Sequence, residues 1–243
     1  MKKHKIGKVD IIIDGARCDN SGCAPMTYIV VALLKAATQH AQGNLFGFDE
    51  MANLGKTWVL SRMGVYVTRY PKHDEPIRVE TWISDVQSIF TRRNFALIDQ
   101  DNEAIVTAQS YWAAIDLETR RPTNLLDIND GILKEYIIKR EEYETPIMKR
   151  IAGVESEPIK IYYPQYSDID INTHFSSIKY IEHAINTFGE ELLTGSIIRD
   201  MSIVYSAETF PGTPIAFCKK DHLIEIKNHE TGNSICRIDF TID

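Results

Sequence analysis

The chain has 243 residues, of which 44% are hydrophobic and 25% charged, the balance of an ordinary globular protein, so disorder, collagen and coiled coil are excluded. The length suits one large domain or two of roughly 120 residues. With 27 basic and 34 acidic residues the net charge is -7, which gives no general attraction to nucleic acid or anionic lipid.

The basic start, Met1-Lys2-Lys3-His4-Lys5, leads into no apolar signal-peptide core. Residues 6–14 are rich in Ile and Val and predict a strand. A polar loop follows, Arg17-Cys18-Asp19-Asn20-Ser21-Gly22. Pro25 suits a helix start and Gly43 a helix stop, with Ile29, Leu33, Ala36, Ala37 and His40 at helical spacing between them. That helix is apolar nearly all round, which predicts burial on every side. Its longest apolar run, Tyr28 to Leu34, is far shorter than the roughly 20 residues of a membrane span. A cytoplasmic protein without membrane insertion is therefore expected.

Strand-like runs follow at 57–70, 77–86, 92–99 and 105–116, separated by the turn signals Tyr70-Pro71-Lys72-His73-Asp74 and Asp99-Gln100-Asp101-Asn102. Residues 120–157 carry prolines and many charges and read as a connector, with one short helix near 131–139. A strand at 160–163, a polar loop at 167–174 and a helix at 177–188, ended near Gly189, then repeat the opening plan. Three more strand runs close the chain at 197–209, 215–227 and 234–242. Two turns align between the halves: Tyr70-Pro71 with Phe210-Pro211, and Asp99-Gln100-Asp101-Asn102 with Asn228-His229-Glu230-Thr231-Gly232. An internal duplication accounts for this.

Each repeat is a strand, one buried helix and a long antiparallel meander. A sheet curled around its own helix solves the burial problem, and that α+β architecture is the hotdog fold, here in tandem. The expected domains are an N-terminal hotdog at 1–125, a connector at 126–157 and a C-terminal hotdog at 158–243.

Several chemistries have no support. There is no G-x-S-x-G, no H-E-x-x-H and no G-x-G-x-x-G, and Gly55-Lys56-Thr57 lacks the first glycine of a P-loop, since position 50 is Glu50. Cys18, Cys23, Cys218 and Cys236 form no C-x-x-C pair and no zinc-like set with His, and read as reduced, packed thiols. No cofactor and no metal are implied. The segment Asp170-Ile171-Asn172-Thr173-His174 stands out, just before a helix. In an extended loop its alternate side chains share a face, so Asp170, Asn172 and His174 would point together. A carboxylate, a carboxamide and an imidazole can accept a proton, orient a polar group and titrate near neutrality. Free N–H groups of the helix near Ser176 and Ser177 could polarise a carbonyl. The plainer alternative is that Asn172 or Thr173 caps the helix while Asp170 completes a turn.

The run Ser167 to Tyr180 resembles the acyl-ACP thioesterase signature D-x-N-x-H-V-N-N-x-K-Y. The first half resembles the same family in order: Trp58-Val59-Leu60-Ser61-Arg62, Tyr70-Pro71, Thr81-Trp82, Phe90-Thr91-Arg92-Arg93, Trp112, and Asp116 followed by Thr119-Arg120-Arg121-Pro122. The resemblance covers nearly the whole chain. It implies hydrolysis of acyl-ACP to free fatty acid, ending chain elongation in fatty acid biosynthesis, with no cofactor and a tandem hotdog fold. It also implies that the loop's Asp170, Asn172 and His174 work with Glu208, which precedes a residue often found as Cys in the family. That residue is Thr209 here, so a Cys nucleophile is ruled out and attack by water is favoured. Internal alignment sets Glu208 against about Thr68, leaving one active site per chain. The family's V-N-N after the His is Phe175-Ser176-Ser177 here, which puts substrate preference in question.

By this resemblance His174 and Glu208 position and deprotonate a water, Asn172 orients the thioester or the water, and Asp170 holds the group together. An acyl tunnel lined by Met26, Ile29, Val30, Leu33 and Leu34 is expected. The partner, acyl carrier protein, is acidic, and the candidate docking pairs are Arg92-Arg93, Arg120-Arg121, Lys139-Arg140, Lys149-Arg150 and Lys219-Lys220. The alternatives are a hotdog acyl-CoA thioesterase, a hydroxyacyl-ACP dehydratase, against which Asn172 argues, and a non-catalytic acyl-binding module. The two repeats account for the whole length, leaving no segment for the DNA-binding attachment such a module usually carries. Monomer and homodimer both remain open.

Overall fold

The computed structural model describes residues 4–243, so the lysines at the basic start, Lys2 and Lys3, lie outside the described residues. The chain divides into two compact units, the first ending at Ile147 and the second running Met148–Asp243. The expected connector at 126–157 is thus shared between them.

The first unit contains β1 (Ile6–Ile12), α1 (Met26–Gln42), α2 (Phe48–Asn53), β2 (Lys56–Val67), β3 (Pro76–Val86), β4 (Thr91–Ile98) and β5 (Ala104–Asp116). Its strands are antiparallel in the order β1-β3-β4-β5-β2. Pro25 sits at the N-cap of α1 and Gly43 at its C-cap, where a residue without an N–H and a flexible residue are each at home. Met26, Ile29, Val30, Leu33, Ala36, Ala37 and His40 form the buried stripe of α1. The expectation of burial on every side is corrected. Lys35, Thr38, Gln39 and Gln42 remain exposed, and their i, i+3, i+4, i+7 spacing is itself a polar helical stripe.

Gly7 on β1 lets α1 approach the sheet: a Cβ there would lie 2.7 Å from Cβ of His40. The opposite face of β3 and β4 presents Trp82, Ala96 and Ile98, covered by Ile138 and Tyr143. That covering segment is pinned by the Ile138 N–H on the Ile83 carbonyl (2.9 Å). Arg140 adds an ion pair with the buried Glu80 (2.6 Å), its guanidinium stacked on Trp82 and Tyr143. Residues 125–136 form short 3-10 turns rather than a regular helix, broken by left-handed Asn129, Asp130 and Gly131.

The second unit contains β6 (Pro158–Tyr162), α3 (Ser177–Ile185), α4 (Gly189–Leu193), β7 (Ile198–Tyr205), β8 (Ile215–Lys220), β9 (Leu223–Asn228) and β10 (Ser234–Ile242). The order is β7-β10-β9-β8-β6, which is the first unit's connectivity repeated. Two expectations are corrected here. The run at 215–227 is two strands, turning at Asp221 with φ of 52°. Gly189 does not stop the helix, since its backbone is helical and helical turns run on to Leu193. Gly195, at φ of 111°, marks the true end. The incoming segment is fastened to this sheet by buried Glu225, which accepts the Val154 N–H (2.7 Å) and pairs with Arg237 (2.8 Å) and Lys227 (3.4 Å). All four cysteines are free; Cys218 and Cys236 are packed, whereas Cys18 and Cys23 are half-exposed in the first unit's loop.

Candidate active site

The loop before α3 is a tight turn, not the extended segment expected. Oδ1 of Asp170 accepts the N–H groups of Asn172 (2.8 Å) and His174 (3.2 Å). The Asp170 N–H donates to the His174 carbonyl (2.8 Å) and the Thr173 N–H to the Asp170 carbonyl (3.0 Å). Thr173 takes φ of 62°, a conformation a β-branched residue rarely adopts. The turn-forming role considered for Asp170 is therefore real, and it explains the Asp at this place without chemistry. Neither Asn172 nor Thr173 caps the helix: Ser176 is the N-cap, and its side chain makes no capping bond.

Two bonds seat the loop. The Phe175 N–H donates to the Thr209 carbonyl and the Ser176 N–H to the Asp168 carbonyl, both at 2.8 Å. The Ser176 N–H is thereby consumed, so the first-turn donors left for a substrate oxygen are those of Ser177 and Ile178. The Phe175 bond brings the chain around Glu208 against the loop. Nδ1 of His174 lies 3.6 Å from Oε1 of Glu208, with side chains 20% and 36% exposed. The Phe210 ring meets the His174 ring edge-on, centroids 4.9 Å apart. Sequence reasoning read Phe210 only as a turn residue before Pro211, although its place two residues after Glu208 was visible. Asn172 is exposed at the loop tip, and among the described residues no hydrogen bond joins its side chain to His174 or Glu208. The structure thus brings His174 and Glu208 together, with Asp170 as the turn's anchor.

The first unit holds the same turn. Oδ1 of Asp19 accepts from the N–H groups of Ser21 (2.9 Å) and Cys23 (3.4 Å). The Asp19 N–H reaches the Cys23 carbonyl (2.9 Å), and Gly22 takes φ of 75°. The Ala24 N–H donates to the Pro71 carbonyl (2.9 Å), as Phe175 does to Thr209. Residue by residue, Asp19 matches Asp170, Ser21 matches Asn172, Cys23 matches His174 and Pro71 matches Thr209. The counterpart of Glu208 is then Tyr70, which corrects both the alignment of Glu208 with Thr68 and that of Tyr70-Pro71 with Phe210-Pro211. Thr68 and Arg69 share the Ile105 carbonyl as Ser206 and Ala207 share that of Ile235, which fixes the same register. The turn is common to both units; the imidazole and the carboxylate belong to the second alone.

Among the docking pairs, Arg93 is withdrawn from any surface, 6% exposed. Its Nη1 donates to Nδ1 of His40 (3.0 Å) and Oγ1 of Thr81 (3.2 Å). Adjacent strand residues face opposite ways, so Arg92 and Arg93 were never one patch. Arg140 is tied to Glu80, and Lys219 to the Thr187 carbonyl and the Phe188 ring. Of the expected tunnel lining, Met26, Ile29, Val30 and Leu33 are buried and Leu34 half-buried.

Residues 9–136 match the family model of the acyl-ACP thioesterase N-terminal domain, and residues 151–242 that of the C-terminal domain. The chain belongs to the acyl-ACP thioesterase family. Each family domain falls within one of the two units, and the tandem hotdog is the family's α+β fold. A solved acyl-ACP thioesterase from Bacteroides thetaiotaomicron is 32% identical, with a TM-score of 0.86 and 98% of both chains covered. The 12:0-ACP thioesterase of Umbellularia californica shares the fold at a TM-score of 0.86 and 19% identity, covering 99% of this chain and 98% of that one. An oleoyl-acyl carrier protein thioesterase of Arabidopsis thaliana, a chloroplastic protein, is 25% identical over 87% of this thioesterase-family chain and 60% of its own length. A palmitoyl-acyl carrier protein thioesterase of the same plant is 23% identical over 84% of this chain and 49% of its own. The chain therefore spans about half to three fifths of these plant relatives.

Proposed function

We propose that this chain hydrolyses the thioester of acyl-ACP, releasing free fatty acid and the carrier thiol, from a single site in the second unit. The observation that carries this reading is the His174–Glu208 pair, seated on a turn that the first unit copies without either group. Glu208 takes a proton from water as the water oxygen attacks the thioester carbonyl carbon. The N–H groups of Ser177 and Ile178 receive the developing oxyanion, helped by the positive end of the α3 dipole. The carbon–sulfur bond then breaks as His174 gives a proton to the leaving sulfur and takes in exchange the one held by Glu208, which restores both groups. Asn172, at the rim, orients the thioester, and Asp170 acts through the turn. Fatty acid biosynthesis is the setting of such a reaction. Among the described residues no helix is long and apolar enough to cross a membrane, and a cytoplasmic place of action belongs to the proposal. The arginine pair at 120–121 and the basic pair at 149–150 are the docking groups proposed for acidic carrier protein.

Thiol release from medium- to long-chain acyl-ACPs, run beside the matching acyl-CoAs, tests the reading. Hydrolysis of acyl-ACP is expected, with Glu208→Gln and His174→Ala each at least ~100-fold slower and with melting temperatures near the wild type's. Release from acyl-CoA alone would keep the chemistry and remove the carrier protein as partner. No release by folded protein from either series would favour an acyl-binding module.

A further inference from the structure

Asp168 ends the short 3-10 turn Tyr166–Asp168, at the neck of the Asp170–His174 turn, and is only 3% exposed. Its Oδ2 accepts the Tyr162 hydroxyl from the end of β6 (2.5 Å) and the Gln165 N–H (2.8 Å). Its Oδ1 faces two α3 side chains, Nε2 of His183 at 3.8 Å and Nζ of Lys179 at 4.0 Å. Its carbonyl accepts the Ser176 N–H (2.8 Å), and the next rung of the neck is the antiparallel bridge between Ile169 and Phe175. One residue thus joins β6, the turn and the start of α3. Burial alone would raise the carboxyl's pKa. The Tyr162 hydroxyl, the Gln165 N–H and the charges of His183 and Lys179 outweigh burial and hold it below the ordinary range, so it remains an acceptor.

The first unit shows that the fold closes without this arrangement. Counted from Asp19 and Asp170, Asp168 corresponds to Arg17, Tyr162 to Ile11, His183 to Ala32 and Ser176 to Pro25. Strand register agrees, since Ile11 pairs with Ile77 and Tyr162 with Ile215, each six residues beyond Pro71 and Thr209. Arg17 is exposed, its guanidinium over the Tyr28 ring, and Pro25 has no N–H to give the Arg17 carbonyl. The neck of the first unit's turn therefore lacks both the side-chain tether and the backbone one. Burying a carboxylate costs free energy that burying an isoleucine does not, so its presence in one unit alone calls for a reason outside the fold. That reason is what the neck carries. His174 lies at its end, with Nδ1 3.6 Å from Oε1 of Glu208, and a displacement of about 1 Å at reacting groups can cost on the order of 100-fold in rate.

We propose that Asp168 is a positioning residue supported by Tyr162, the two clamping the neck of the turn between β6 and α3 and so holding His174 at Glu208. This rests on the thioesterase reading of the same site. The test uses the full chain with Tyr162→Phe, Asp168→Ala and Asp168→Asn, each alone and combined with His174→Ala, and with Arg17→Ala as the first-unit control. Steady-state kinetics on an acyl-ACP, melting temperature and an NMR titration of the His174 ring are measured on each. Tyr162→Phe is expected to lose about 5-fold and Asp168→Ala about 30-fold in kcat, with KM within about twofold. Asp168→Asn stays within about threefold of wild type, because an amide oxygen accepts the same two donors, and Arg17→Ala keeps wild-type kcat. In the His174→Ala background neither Tyr162→Phe nor Asp168→Ala lowers kcat by more than about a further twofold. A role in folding alone would carry its full loss into that background, and such additivity overturns the proposal. So does wild-type kcat in Tyr162→Phe, an equal loss in Arg17→Ala, or an Asp168→Asn variant as slow as Asp168→Ala. Where Asp168→Ala does not fold, Tyr162→Phe and its combination with His174→Ala decide. A wild-type chain that hydrolyses no acyl-ACP defeats the thioesterase reading instead. The His174 titration then decides the clamp alone, and a midpoint unchanged in Tyr162→Phe overturns it.

Discussion

One carboxylate oxygen of Asp170 accepts two backbone N–H groups, and this division of labour recurs at single residues throughout the chain. Asp170 shapes a turn, His174 and Glu208 are the pair proposed to supply reactive atoms, and Thr173 carries the left-handed backbone that glycine carries in the other unit. Asp170→Ala is therefore expected to lower both activity and melting temperature, whereas Glu208→Gln lowers activity alone; calorimetry beside the thiol assay separates the two. His40 is a second case. Its Nε2–H donates to the His4 carbonyl (2.7 Å) while Nδ1 accepts from Arg93, so the folded ring is the neutral tautomer. Burial, then the Arg93 charge, lower its pKa from 6.5 to about 4. The unfolded chain binds the proton more readily in that window, so stability falls as pH drops from 6.5 towards 4. The loss reaches on the order of 3 kcal/mol. His40→Gln is expected to flatten this part of the profile, measured by urea unfolding at several pH values.

At the scale of elements, much of the architecture was legible because punctuation and periodicity agreed. Pro25 and Gly43 bounded α1, and the alternating runs located the strands of the first unit. What went unread has physical reasons. The turn at Asp221-His222 carries no Gly, Pro or Asn, and Asp221 adopts its left-handed backbone regardless, so two strands looked like one. Gly189 looked like a stop because glycine is permissive, yet a permissive residue also accepts helical angles. The loop residues of the candidate site were singled out by their types and their resemblance to the family, but the extended geometry assigned to them was wrong. Backbone acceptance by Asp170 had closed the turn. Glu225 shows how a short segment depends on one side chain. Burial alone would raise its pKa, but the nearby Ser234 hydroxyl, the Val154 N–H and Arg237 outweigh burial and hold it at about 2. The stability it contributes is present above pH 4.5 and is lost as pH falls towards 2. Glu225→Gln is expected to cost about 3 kcal/mol and to open residues 148–157 to proteolysis, followed by limited digestion and mass spectrometry.

At the scale of the whole molecule, the chain is two units of one connectivity with chemistry proposed in one of them. Both keep the aspartate that closes the turn, and they part at the neighbouring positions: Ser21 and Asn172, Cys23 and His174, Tyr70 and Glu208. Duplication thus separates what the fold demands from what the reaction demands, a distinction that a chain with one copy would keep hidden. The consequence is a predicted asymmetry of mutational tolerance. In a saturation scan scored for fatty acid release, substitutions at Asp19 and Asp170 should both be depleted. Substitutions at Ser21 and Cys23 should pass nearly unselected while those at Asn172 and His174 are purged. Equal depletion at Cys23 and His174 would contradict the single-site reading. The spare turn of the first unit is then ground on which new side chains can be installed without touching the working one.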